Sequence, residues 1–221
     1  MKFSALMISL LMIGIGTSSP ALLKGLFSQR ILLQTPENPI QNQRRSPTVF
    51  QTYIALETKS PEMQKLSRNV MFYLSRRSHQ QWVAVDLFAG STVQNLYSNQ
   101  ASRQSLQALI HQIAINESSD QALIQAVQRF KDEVEQNPEK SIYGLIITQG
   151  SSNPETLKNI GTICQKLSKL SQANKQQTLR LHLIGLAPEH RLAMSQAVSS
   201  MGDRVHFASR TYEEWNQLIQ F

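Results

Sequence analysis

One cysteine, Cys164, is the only thiol among the 221 residues. It has no mate for an internal disulfide, and a zinc site built on cysteine ligands is excluded, while the redox compartment stays open. Glycine is sparse, and its nine residues form neither Gly-x-Gly-x-x-Gly nor a Walker loop, so a nucleotide-binding reading lacks its phosphate cradle. Gly-x-Ser-x-Gly is missing as well, and Thr148-Gln-Gly-Ser-Ser152 reads as a strand-to-helix turn. The histidines His79, His111, His182, His190 and His206 are scattered, with none of the short pairings that metal sites favour. His182 and His206 fall in strand-like runs and read as packed or edge residues. Asp86 brings a carboxylate into a strand without a partner placed beside it.

Acidic residues are also in short supply, 15 against 22 Lys and Arg, for a formal charge of +7. Residues 1–47 hold +4 of it, from Lys2, Lys24, Arg30, Arg44 and Arg45 against Glu37, which leaves +3 for the rest. Nucleic-acid binding asks for a basic face with interleaved aromatics on the folded part. A mildly basic domain behind a basic leader speaks against that partner.

What is present begins with an apolar leader. No charged residue occurs from Phe3 to Leu23, and Ser19-Pro-Ala21 supplies small residues near a cleavage position. Residues 1–25 therefore read as a signal peptide or an N-terminal membrane anchor, since about 20 apolar residues are enough to span a bilayer. The expected location is periplasmic or extracellular, or membrane-anchored through this segment. Residues 26–47 read as a Pro/Gln-rich linker, with prolines at 36, 39 and 47 near its end. A folded domain is expected over 48–221.

In that domain, runs rich in β-branched and aromatic residues alternate with stretches of helical period, the pattern of an α/β sheet with helices on both faces. Strands are expected at Phe50–Leu56, Trp82–Phe88, Val93–Tyr97, Ile142–Thr148, Leu179–Leu186 and Val205–Ala208. Helices are expected over 61–77, 102–114, 119–136, 155–173, 189–201 and 211–220. Ile142-Tyr-Gly-Leu-Ile-Ile147 has the nearly continuous apolar character of a central parallel strand. Only Ala89-Gly-Ser-Thr92 separates the second and third strands, so they must form an antiparallel hairpin. The fold class is a doubly wound, mostly parallel six-stranded sheet with one antiparallel edge strand. Trp215 in the last helix is expected to pack on the sheet.

The order and spacing of these segments resemble a von Willebrand factor type A domain over about residues 48 to 221. The resemblance is carried by Tyr53-Ile-Ala-Leu-Glu-Thr-Lys-Ser-Pro-Glu-Met-Gln-Lys-Leu66, Trp82–Phe88 with Val93–Tyr97, Glu117-Ser-Ser-Asp-Gln-Ala-Leu123, Leu145-Ile-Ile-Thr-Gln-Gly150 and Leu183-Ile-Gly-Leu-Ala187. It implies a metal-ion-dependent adhesion site formed by an Asp, two Ser, a Thr and a second Asp. Those positions read Glu57, Lys59, Pro61, Ser119 and Gln149 here. A hard divalent cation wants several oxygen ligands, some anionic. Pro61 offers none, Lys59 brings a positive charge and Gln149 is neutral, so the site is expected to be degenerate and to hold neither metal nor other cofactor. Lys59 either stands in for the cation, paired with Glu57 and bonded to Ser119 and Gln149, or points to solvent from an ordinary loop ahead of a Pro-initiated helix.

Ligands of parallel α/β sheets bind beyond the strand C-termini where strand order reverses, which the resemblance to a von Willebrand-like order implies to be between the first and fourth strands. The candidate partner surface is Glu57, Lys59, Ser60, Ser118, Ser119 and Gln149, extended by Thr58, Ser151 and Asn153. The leading reading is a non-catalytic, metal-independent protein-interaction module, exported or tethered. The rivals are a hydrolase-like enzyme with dispersed residues, drawing on Asp86, Ser119 and a histidine, and a membrane-attached structural subunit. Oligomeric state is not legible.

Overall fold

The computed structural model describes residues 50–77, 81–174 and 177–219. The leader and linker expected at 1–25 and 26–47 lie outside the described residues. The first strand, β1 (Phe50–Leu56), is buried from Gln51 to Leu56 on both faces, because it pairs in parallel with β2 (Trp82–Ala89) on one side and β4 (Ser141–Ile147) on the other. With β3 (Thr92–Gln100), β5 (Leu179–Ile184) and β6 (Val205–Ala208), the sheet order is β3-β2-β1-β4-β5-β6. Only β2 and β3 run antiparallel, turned by Gly90 at φ 59°. The expected doubly wound sheet with one antiparallel edge strand is the architecture observed.

Side chains alternate across each strand, so the sheet divides the core in two. Tyr53 and Ala55 of β1 face the layer of α3 (Asp120–Gln136), α4 (Pro154–Ala173) and α5 (Pro188–Ala197), where Phe130, Leu167 and Met194 are buried. Ile54 and Leu56 face α1 (Pro61–Arg77), α2 (Arg103–Gln112) and α6 (Tyr212–Leu218), with Leu66, Leu106 and Trp215 buried between. Trp215 is 2% exposed and lies edge-to-face against Tyr73 and Tyr212. Cys164 of α4 is fully buried, and burial pushes its thiol pKa up to about 12.

The apolar run of β4 is broken by Gly144 for a packing reason. A Cβ there would come within 2.7 Å of the Phe130 ring, so the missing side chain lets α3 lie close against the central strand.

Helix ends follow local chemistry. Ser60 Oγ accepts from Met63 N–H at 3.2 Å ahead of Pro61, and Asn153 Oδ1 accepts from the N–H groups of Glu155 and Thr156. At the other end of α1, the Arg76 and Arg77 guanidinium groups lie 4.3 and 4.4 Å over the Phe72 and Tyr73 rings, so they bind ring faces as well as suiting the helix dipole. Two boundaries differ most from expectation. The helix expected over 189–201 ends at Ala197 and gives way to a 3-10 turn, Ser199–Arg204, where Gly202 has φ 60°. The edge strand β3 runs on to Gln100, because the β2 backbone supports its polar end through pairs such as Val83 with Asn99. Among the described residues no helix is long and apolar enough to cross a membrane.

Candidate functional site

β1 and β4 are neighbours, yet α1 leaves β1 toward one face and α4 leaves β4 toward the other. Their divergence opens a gap beyond the two strand ends, and Glu57 stands in it. Its N–H donates to Ile147 O at 2.9 Å, which prolongs the strand pairing by a residue and turns the side chain toward the loop after β4. Ser67 Oγ of α1 donates to Glu57 O at 3.2 Å.

Glu57 is 4% exposed, and both of its carboxylate oxygens are occupied. Oε2 accepts from Thr148 Oγ1 at 2.7 Å and from Gln149 N–H at 2.8 Å; Oε1 accepts from Ser118 Oγ at 3.1 Å and pairs with Lys59 Nζ at 2.8 Å. Three loops thus converge on one carboxylate. Thr148 is itself fixed, its Oγ1 accepting from Gly150 N–H at 2.9 Å. Hydrogen bonds to an ionised acceptor are stronger than neutral ones, and this set holds the charge in a buried position that an isolated carboxylate would not tolerate.

The other residues of the expected surface divide by role. Lys59, one third exposed, bonds Glu57 and neither Ser119 nor the Gln149 side chain. Ser118 supplies the hydroxyl from the loop before α3, and a bridge between Gly90 and Ser118 ties that loop to the β2–β3 turn. Ser119 is exposed at the N-cap position, its N–H donating to Gly90 O at 2.9 Å. Gln149 works through its backbone, with its carbonyl accepting from Ala187 N–H at 2.9 Å and meeting His190 Nδ1 at 3.1 Å. Ser60 caps α1, and Ser151 donates from its hydroxyl to Asp120, which also accepts from Thr156 Oγ1 at 3.2 Å. Thr58 Oγ1 is buried with no hydrogen-bond partner among the described residues. Thr148 was not among the expected site residues, because it read as the last residue of a strand.

This donor set does not suit the magnesium or manganese ion that adhesion sites of this fold imply. One carboxylate is present, its four contacts are all donors, and one of them is an ammonium at the charge centre of the gap. Among the described residues no group of three or more His, Cys, Asp or Glu side chains could hold a metal ion.

Asp86 carries a correction to the sequence reading, which gave it no partner. It is 1% exposed and accepts from Tyr53 Oη at 3.0 Å, Asn95 Nδ2 at 3.0 Å and Arg129 at 3.1 Å to both oxygens. The arginine comes from α3, so the cluster ties helix, central strand and edge hairpin together beside a cavity of about 220 Å³. Desolvation, then the neighbouring Asp86 charge, push the Tyr53 hydroxyl pKa far up, so Tyr53 is a fixed donor. Asp86 and Ser119 share no hydrogen bond among the described residues. The three cavities described, of about 830, 220 and 300 Å³, are lined by residues other than Glu57, Lys59, Ser118 and Gln149.

No protein-family model and no curated protein matches the sequence. Solved structures do. An aerotolerance-related membrane protein from Bacteroides fragilis aligns at 10% identity, covering 76% of this chain and 94% of that one, with a TM-score of 0.54. The VWA domain of SpRpn10 aligns at 12% identity over 78% and 94%, TM-score 0.53, and the N-terminal domain of TFIIH p34 at 9% over 75% and 92%, TM-score 0.52. At such identities the likeness concerns architecture, and together with the strand order and the crossovers it shows that the described domain has a von Willebrand factor type A-like fold.

Proposed function

We propose that the domain is a non-catalytic protein-interaction module that captures its partner without a divalent cation, and that residues 1–25 export it or hold it at a membrane. The observation that carries this reading is the Lys59–Glu57 pair of 2.8 Å at the strand switch point. The fold's adhesion chemistry uses a metal to bridge domain and partner; here a fixed ammonium sits beside the carboxylate, with hydroxyl and amide groups around it. The rim formed by Lys59, Ser60, Ser119, Gln149 and Asn153 is partly or fully exposed and offers hydrogen bonds and one positive charge. It suits a partner with a carboxylate or a row of carbonyls at its contact point. The aerotolerance-related membrane protein of the same fold fits a tethered role.

The test has two readings. The melting temperature of the chain is expected to be the same in EDTA and in millimolar magnesium or manganese, since a ligand bound by the native state raises it; a metal-dependent rise would restore a conventional adhesion site. A protein partner captured by the wild-type chain should be lost from Ser119→Arg and Gln149→Arg, both on the rim, while the melting temperature holds. Retention by both variants would move the interaction elsewhere.

A further inference from the structure

The opposite end of the sheet carries a second polar surface. A cavity of about 830 Å³ opens where β5 and β6 begin, lined by Gln177, Thr178, Arg180, Asp203, Arg204 and His206 with the end of α4 beside them. Lys175 and Gln176 lie outside the described residues. The cavity's volume is that of a small-molecule pocket, but its lining is polar where drug-like pockets are mostly apolar.

Two features of this lining are unspent. Arg180 and Arg204 belong to none of the ion pairs among the described residues, so two guanidinium groups face a cavity that holds one carboxylate, Asp203. Gln177 is 6% exposed; its Nε2 donates to Asn137 O at 3.0 Å, while its buried Oε1 has no hydrogen-bond partner among the described residues. An unmet buried acceptor costs free energy that a donor would recover. His206, which lines the cavity, is half-buried, its ring stacked on that of His182 with centroids 5.1 Å apart; among the described residues the Nδ1 of His182, 3% exposed and outside the lining, has no partner.

The two sets of groups ask for different things from one ligand. Guanidinium forks recognise a phosphate or carboxylate. The Gln177 carbonyl and the Asp203 carboxylate accept hydrogen bonds, and an anion without hydroxyl groups leaves them unmatched. We propose that this cleft binds a polyhydroxylated anion of monosaccharide size, a sugar phosphate or sugar carboxylate, with Arg180 and Arg204 on the anionic group and Asp203 and Gln177 accepting from hydroxyls. This site is independent of the interaction surface at the other strand edge.

Calorimetric titration of the full chain with glucose 6-phosphate, glucuronate, glucose and inorganic phosphate at matched ionic strength tests it. At least one sugar anion should bind at least about tenfold more tightly than glucose or phosphate, and which of the two does so identifies the anionic group. Arg180→Gln with Arg204→Gln should weaken that binding about tenfold or more while the unliganded melting temperature holds; Arg180→Gln alone, on an exposed residue, repeats the test should the double variant melt early. Asp203→Ala should weaken the sugar anion yet leave inorganic phosphate equal or tighter, since it removes an acceptor and a negative charge together. The proposal is overturned by absence of binding to both sugar anions, by phosphate binding as tightly as they do, or by arginine variants that bind like the wild type.

Discussion

Glu57 and Lys59 form a pair whose two members are unequally placed. The carboxylate is buried under four donors and the ammonium is one third exposed, so removing either has a different cost. Glu57→Gln leaves Thr148, Ser118 and the Gln149 N–H facing a weaker acceptor and should cost about 2 kcal/mol, in the range for hydrogen bonds to charged groups. Lys59→Ala removes a solvent-screened partner and should cost up to about 1 kcal/mol. Urea midpoints of the two variants check both. An unchanged Lys59→Ala midpoint would mean that the ammonium is not part of the site. Asp86→Asn is expected to cost about 3 kcal/mol, the lower end for breaking a buried ion pair, because Arg129 is 46% exposed and stays solvated.

His182 gives a pH dependence whose sign follows from its burial. Desolvation, then the His206 and Arg180 charges, lower its pKa to about 4 from an ordinary 6.5. The unfolded chain therefore binds the proton more readily, and the stability tied to the neutral ring is complete above pH 6.5 and falls as pH drops toward 4, by on the order of 2–3 kcal/mol. Urea midpoints from pH 4 to 7 should show a slope that is shallower in His182→Leu; identical slopes would mean that His182 is not the titrating group. Single-residue chemistry of this kind was partly readable in advance. That His182 would be packed or at an edge followed from its strand, and the Glu57–Lys59 pair was one of two alternatives the sequence left open, whereas the Ser118 hydroxyl on Glu57 in place of Ser119 was not foreseen. Nor were the partners of Asp86, because Arg129 lies 43 positions away, and only the crossing of α3 over the sheet brings it near.

At the scale of elements, Gly144 lets α3 lie close against β4. Gly144→Ala places a methyl in the space of the Phe130 ring and should cost about 1–3 kcal/mol as overpacking, whereas Phe130→Ala should cost about 3–5 kcal/mol by opening a cavity. Combining Gly144→Ala with Phe130→Leu should cost less than the sum of the two singles, and thermal melts of the three variants measure that coupling. The six strands and the one hairpin were legible because parallel strands buried on both faces read as apolar runs and because Ala89–Thr92 is too short for a crossover, while their order came only with the family resemblance. Element ends were less legible. Polar Ser98-Asn99-Gln100 carries no strand pattern and is strand only through its ladder to β2, and the last turn of α5 yields to a 3-10 turn that Gly202 permits.

For the whole molecule, the sheet has two active-looking ends with opposite demands on a ligand. The strand C-terminal edge presents a carboxylate paired with an ammonium and a hydroxyl rim, and the N-terminal edge presents two arginines that form no ion pair among the described residues. Cys164 connects this architecture to something measurable. It is the sole thiol, fully buried on α4 with its ionisation held back to about pH 12, so a thiol reagent can reach it only when α4 lifts from the sheet. The protein thereby carries a built-in stopwatch for its own opening: the alkylation rate of the native chain reports how often that helix swings free. Glucose 6-phosphate or glucuronate in the cleft at the end of α4 should slow the clock, and denaturant should let it run at the rate of a free thiol.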